Sequence, residues 1–315
     1  AAVGIFRVAP ADAADHAPSW TGPDYGPAFN QTWRDGNAEL AAYALTYPRY
    51  GQVRTGTAAM VTVTEPFNPE LRVKSDAGGP GTYGVLKLNL AEDFQTGLYD
   101  YNLMTSVFVN TEPAHGLPAG SAPKVSFSSQ EWCGHVYQQA HFGHNRRGKL
   151  AVRQNSHSYF ESEADQQRDL AHPAGGLAEE ALVLWSRGLA GPALEPDQSM
   201  QLPIFRGAAT QLLTHVDPAW VDATLSRLGE TAVVTTPAGE FTCEVFTADV
   251  DGRRTTFWID TAEGADRRLV KLERSDGYTL ELLGVDRMPY WNLHGNADEN
   301  RLESMGLKRR GDGVM

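Results

Sequence analysis

Between Thr231 and Leu283 the chain alternates short β-prone runs with turns, and this pattern constrains the fold more than any other stretch. The runs are Thr231 to Thr236, Glu240 to Asp249, Arg254 to Asp260, Arg268 to Arg274 and Tyr278 to Leu283. They are joined by Pro237-Ala238-Gly239, Asp251-Gly252, Glu263-Gly264 and Asp276-Gly277. Asp-Gly tolerates the positive φ angles that tight hairpins demand, so each pair of runs predicts two adjacent antiparallel strands. The whole stretch reads as an up-and-down meander.

The first half repeats the pattern less regularly. Thr57 to Thr64, Val85 to Leu90, Leu98 to Asn110, Lys124 to Ser129, Gly134 to Gln139 and Leu150 to Glu161 alternate and are joined by polar turns. The run AELAAYALTY from Ala38 has helical propensity, but the Tyr50-Gly51 turn and the β-branched run after it favour a hairpin. Long amphipathic helices do not separate these runs, which argues against βαβ units. The exception is central. Leu177, Ala181, Leu184, Trp185 and Gly188 recur at helical spacing before Gly191-Pro192, and Asp217 to Leu228 is a second helix candidate, with Asp217 as N-cap and Pro218 next.

The predicted fold is mainly β: a curved antiparallel meander sheet or half-barrel with a short helical insertion. Its parts are an extended leader (1–30), a first meander (31–161), the insertion (162–229), a second meander (230–291) and a polar tail (292–315). The 31 Gly and 18 Pro supply the turns such a fold needs. A net charge of -12, from 27 basic and 39 acidic residues, provides no basic track for phosphates and argues against nucleic acid as a partner. No stretch approaches the roughly 20 apolar residues of a membrane-spanning helix. The chain starts at Ala1 rather than Met, as an exported protein freed of its signal peptide would; a trimmed boundary fits equally well.

The segments RYGQVRTGTA, RTTFWID (Arg254 to Asp260), LVKLERSDG and the later PYW resemble an uncharacterised group of exported bacterial proteins. Those proteins are thought to form curved antiparallel sheets similar to the lipoprotein-carrier LolA and LolB half-barrels. The resemblance covers most of Ala38 to Trp291. It implies a periplasmic or outer-envelope location, with a lipid anchor ahead of Ala1 left open, and it carries over no catalytic residues.

Unusual chemistry concentrates in Lys124 to Arg147. Cys133, His135, His141 and His144 could supply thiolate and imidazole ligands to zinc or copper, although their spacing matches no standard finger. The bland alternative is a buried thiol, a hydrogen-bonded histidine and two turn histidines. Cys133 could instead be a nucleophile, or bridge to Cys243. Glu131 and Asp100 beside aromatics have the residue types of a glycosidase pair, and His135 and His157 fall within reach if their strands pair. Glu131, His135 and His157 are thus the catalytic candidates. Tyr99, Tyr101, Trp132, Tyr137 and Tyr159 are the candidates for ligand contact, against a reading in which they are ordinary core or cross-strand aromatics.

A curved sheet cannot leave its concave apolar face in water; side chains, a helix or a ligand must fill it. The leading expectation is therefore a non-enzymatic carrier or binding protein for an apolar or amphiphilic envelope molecule, such as a lipid. A zinc- or copper-dependent hydrolase and a structural surface protein are the alternatives.

Overall fold

The computed structural model describes residues 20–308, so the first 19 residues of the expected leader lie outside the described residues. The rest of that leader is not simply extended. Pro27, whose fixed φ suits a first helical turn, opens α1 (Pro27–Trp33), which buries Phe29 and Trp33.

The first meander comprises β1 (Ala38–Arg49), β2 (Gln52–Asn68), the two-residue β3 (Val73–Lys74), β4 (Tyr83–Thr96), β5 (Tyr99–Asn110), β6 (Lys124–Glu131), β7 (Gly134–His144), β8 (Leu150–Ser158) and β9 (Gln166–Ala171). Next come β10 (Leu177–Ala178), α2 (Leu182–Ser186), β11 (Ser199–Phe205), α3 (Ala208–Thr214) and β12 (Trp220–Arg227). The second meander contains β13 (Ala232–Thr236), β14 (Gly239–Val250), β15 (Arg253–Asp260), β16 (Leu269–Arg274) and β17 (Thr279–Met288). The fold is mainly β, as expected, and the sheet is single, open and dominated by antiparallel pairs.

The two halves join in the middle. β1 pairs with β2 on one side and with β17 on the other, so the first and last strands form the centre of the sheet. From there the order runs outward through β4, β5, β6, β7 and β8 to β9, and through β16, β15, β14, β12 and β11 to β10. Although β7 and β11 lie near opposite edges, Phe142 on β7 meets Phe205 on β11 at 5.4 Å between ring centroids. Phe142 also meets Trp220 on β12 at 6.2 Å. The sheet is therefore rolled until its two ends touch through side chains.

The segment between the sheet edges fills the roll. Trp185 on α2, 2% exposed, packs edge-on against Phe246 and Phe257, and its indole N–H donates to the Pro192 carbonyl at 3.0 Å. The helix expected over 177–191 is much shorter than its pattern suggested. Gly188, at φ +72, ends it and allows the Leu189 N–H to bond the Leu184 carbonyl at 2.8 Å. The second expected helix is a strand: β12 pairs with both β11 and β14, and that two-sided pairing outweighs the Asp217-Pro218 cap signal. Asp217 instead meets Arg168 at 2.8 Å.

On the convex face, Leu302, Met305 and Leu307 of the nominally polar tail pack over Leu40 and Ala42 of β1. Among the described residues no helix is long and apolar enough to cross a membrane.

Candidate functional site

The hairpin tips at Tyr50-Gly51, Gly97-Leu98 and Trp132-Cys133 share one rim of the roll with Asp251-Gly252 and Asp276-Gly277, because alternate strands turn at the same end. An aromatic ladder descends from this rim into the interior. Tyr99 lies 6.3 Å from Trp132 at 30° and 5.9 Å from Tyr101; Tyr101 stacks on Phe94 at 5.2 Å, and Phe94 stacks on Tyr47 at 4.2 Å. Gly56 makes the last contact possible. It sits on β2 between these rings, opposite both Leu45 and Phe94, and a Cβ there would meet the Phe94 Cβ at 2.8 Å. Trp132 is 69% exposed whereas Phe94 is buried, so the ladder grades from solvent to core.

Polar groups fix the upper rungs. The Tyr50 and Tyr101 hydroxyls are 2.6 Å apart, and the Arg49 guanidinium lies over both rings at 4.4 and 5.4 Å. Burial holds the Tyr47 phenol above its ordinary range. Burial, with the Tyr50 hydroxyl next, does the same for Tyr101.

α3 crosses the mouth beside this ladder. Leu212 and Leu213 border a small cleft of about 20 Å³ together with Tyr47, Phe94, Leu103 and Phe127. Only Ala208, Gln211 and Leu212 of the helix are buried. Its own sequence supplies no side-chain cap, and distant carboxylates take that role. Glu179 accepts the Gly207 N–H at 2.7 Å and Glu180 accepts the Ala208 N–H at 2.8 Å. Burial pushes the Glu180 carboxyl up to about 7. Arg253 meets Glu179 and donates to Thr210 at 2.8 Å. On the opposite wall, Gln154 donates to both Gln211 (2.8 Å) and Gln138 (2.9 Å), and His215 approaches Glu163 at 3.1 Å.

Of the expected ligand-contact residues, the structure brings together Tyr99, Tyr101 and Trp132. Tyr137 stands apart on the convex face opposite His157, and Tyr159 lies against Gly134 and Phe160. Tyr47, Tyr50, Phe94 and Arg49 were missed; the period-two spacing of Leu45 and Tyr47 was the available signal.

The expected metal quartet does not form. Among the described residues no group of three or more His, Cys, Asp or Glu side chains is arranged to hold a metal. The reason is strand geometry: at roughly 3.3 Å per residue, His135 and His144 lie about 30 Å apart along β7. Cys133 is an exposed free thiol, raised above its ordinary pKa by Glu131, which is the wrong direction for a nucleophile. Cys243 is also free, and buried.

Of the catalytic candidates, Glu131 and His135 both border the small cleft beside α3, whereas His157 does not. Asn102 is opposite Gln130, and alternation then directs Asp100 and Glu131 to opposite faces, so they cannot flank one bond. Glu131 accepts the Cys133 N–H at 2.9 Å within its own turn. His135 and His157 share the convex face as diagonal neighbours, and His157 meets Asp165 at 3.3 Å, with both side chains exposed. Compared with known proteins, the chain matches no family model, no curated protein and no solved structure.

Proposed function

We propose that the protein binds an apolar or amphiphilic molecule at the mouth of the roll, as an exported carrier or binding protein with no chemistry of its own. One observation carries this reading: the aromatic ladder runs without a break from exposed Trp132 to buried Tyr47 beside a cleft whose lid is a lightly buried helix. One sector of the rim also presents apolar side chains, with Tyr50, Leu98 and Trp132 exposed at neighbouring tips. The cleft as it stands, about 20 Å³, is too small for an acyl chain, so binding requires α3 to lift. α2 is not the moving part, since Trp185 and the buried Arg187–Glu39 pair anchor it.

A dansylated fatty acid tests the reading. The expected result is saturable dansyl fluorescence, competed by unlabelled palmitate, weakened in Tyr101→Ala and in a Thr210→Cys/Arg253→Cys variant once α3 is cross-linked shut. Absence of saturable binding in the native protein, together with no co-purifying amphiphile in native mass spectrometry, rejects it. Competition by soluble glycans but not by palmitate assigns the platform to sugars instead and also rejects it.

A further inference from the structure

A second constellation lies on the convex face, about 20 Å along β6 from the aromatic rim at the strand rise of an extended chain. Lys124 is opposite both Phe108 on β5 and His141 on β7, and these three outward side chains form one row. Lys124 is only 8% exposed, with its ammonium 5.6 Å above the Phe108 ring. It donates to a carbonyl, that of Arg72, at 3.1 Å. Arg72 in turn donates to the carbonyls of Phe142 (2.8 Å) and His144 (3.4 Å). Neither cation has a carboxylate partner among the described residues, whereas nearby Lys87 and Arg153 pair with Glu65 and Asp169.

Three further polar atoms join this patch. Tyr83 Oη, His115 Nε2 and His141 Nε2 are all buried and meet no hydrogen-bond partner among the described residues. The Tyr83 and His115 rings touch edge-on at 5.2 Å. The backbone is bent to gather the groups. Arg72 (φ +54) and His115 (φ +56) both occupy the left-handed region, which costs a non-glycine residue free energy and persists where the surroundings enforce it. The loop carrying His115 is pressed onto β7: His144 N–H bonds the His115 carbonyl at 2.8 Å, and a Cβ at Gly143 would meet that same carbonyl at 2.5 Å.

We propose that Arg72, Lys124, His115, His141 and Tyr83 form a binding site for a phosphate-type oxyanion, either free or as a lipid headgroup. Lys124 is buried and Arg72 half-buried, and two such cations without a counter-charge are costly; an anion supplies that charge. Arg and Lys donate charge-assisted bonds to its oxygens, the tyrosine hydroxyl adds a neutral donor, and each imidazole adds one when its Nε2 carries the proton. A metal does not suit the same place, because both cations repel it and, among the described residues, no group of three or more His, Cys, Asp or Glu side chains is arranged to hold one. The site is separate from the mouth and does not depend on the carrier reading.

The test uses the whole chain with inorganic phosphate as the first probe and vesicles containing phosphatidic acid as the second. Phosphate should shift the ring-nitrogen NMR signals of His115 and His141, saturably, and raise the melting temperature. Lys124→Met, which keeps the stem over Phe108, should weaken binding about tenfold or more while leaving the circular dichroism spectrum native. If Lys124→Met does not fold, Arg72→Gln serves, and the histidine signals of the native protein remain decisive. Binding to free phosphate assigns a soluble anion; sedimentation with phosphatidic acid vesicles but not with neutral ones assigns the headgroup. The proposal is overturned if neither probe binds, or if binding survives unchanged in the folded variant.

Discussion

Glu39 and Arg187 form a two-pronged ion pair inside the protein, with Nη1 to Oε1 at 2.7 Å, Nη2 to Oε2 at 2.9 Å, and side chains 5% and 2% exposed. Arg187 also donates to the carbonyls of Arg267 (2.8 Å) and Asp266 (3.1 Å), so four of the five N–H donors of its guanidinium are engaged. Glu39 belongs to the central strand β1 and Arg187 follows α2; the pair fastens the plug to the middle of the sheet. Glu39→Gln leaves a buried guanidinium without its counter-charge, and the expected loss of stability is about 3–5 kcal/mol. Urea unfolding measures it. A double variant, Glu39→Leu with Arg187→Met, should recover much of that loss, because the uncompensated charge is gone; equal losses in both would contradict this account.

Stability should also depend on pH in a composite way. Glu92, 6% exposed, accepts a hydrogen bond from the Tyr278 hydroxyl at 2.8 Å, yet burial pushes its carboxyl up to about 7. The folded protein therefore holds a proton there that the unfolded chain, near 4.5, gives up. This contribution, on the order of 3 kcal/mol, is complete below about pH 4.5 and lost as pH rises through 7. His115 and His141 act oppositely. Burial first, then Arg72, lowers both to about 4, so their contribution is present above about 6.5 and lost as pH falls toward 4. Glu180, which burial also raises to about 7, acts in the same direction as Glu92, so two carboxyls oppose the two imidazoles. The native protein should be nearly flat in stability between these limits and decline above them. In Glu92→Gln the histidine slope should emerge, with stability rising from pH 5 to 6.5 in chemical denaturation; an unchanged profile would remove Glu92 as the source.

The second meander could be read from sequence because each Asp-Gly turn acts locally, and β14 to β17 follow those turns closely. β1 was harder. Its inward residues (Tyr43, Leu45, Tyr47) and its outward Leu40 and Ala42 are all buried, so alternation is lost and the run resembles a helix. α3 left no signal, since its seven residues are capped by carboxylates 28 positions away in the chain. The grouping of Tyr99, Tyr101 and Trp132 was within reach, because two adjacent hairpin tips carry it. The deeper rungs were not: the Tyr47–Phe94 stack depends on the register that sets Gly56 between them.

The glutamine chain beneath α3 provides a local test of the lid. Gln154 bridges Gln138 and Gln211 inside the roll, and its removal leaves two buried amide oxygens without those bonds. Gln154→Ala should cost about 1–3 kcal/mol. Its distinctive effect should be faster amide exchange confined to residues 208–214, with β1 and β17 unchanged. Faster exchange across the whole sheet would mean that α3 is part of the global folding unit rather than a separable lid.

Trp132 supplies the converse case. Its ring is 69% exposed at the tip of the β6–β7 hairpin, and its ring contact is with Tyr99 at 6.3 Å. An exposed side chain of this kind contributes little to folding, so Trp132→Ala should change unfolding free energy by no more than about 0.5 kcal/mol. A ligand-contact residue should still matter for binding. The same variant should weaken the dansylated fatty acid by about tenfold, the size expected when a ring that covers a ligand is removed. Intact stability with lost binding assigns the outer rung to recognition. Lost stability with intact binding would make the ladder a structural feature of the hairpin tips, and the search for the ligand would move to the other side of α3.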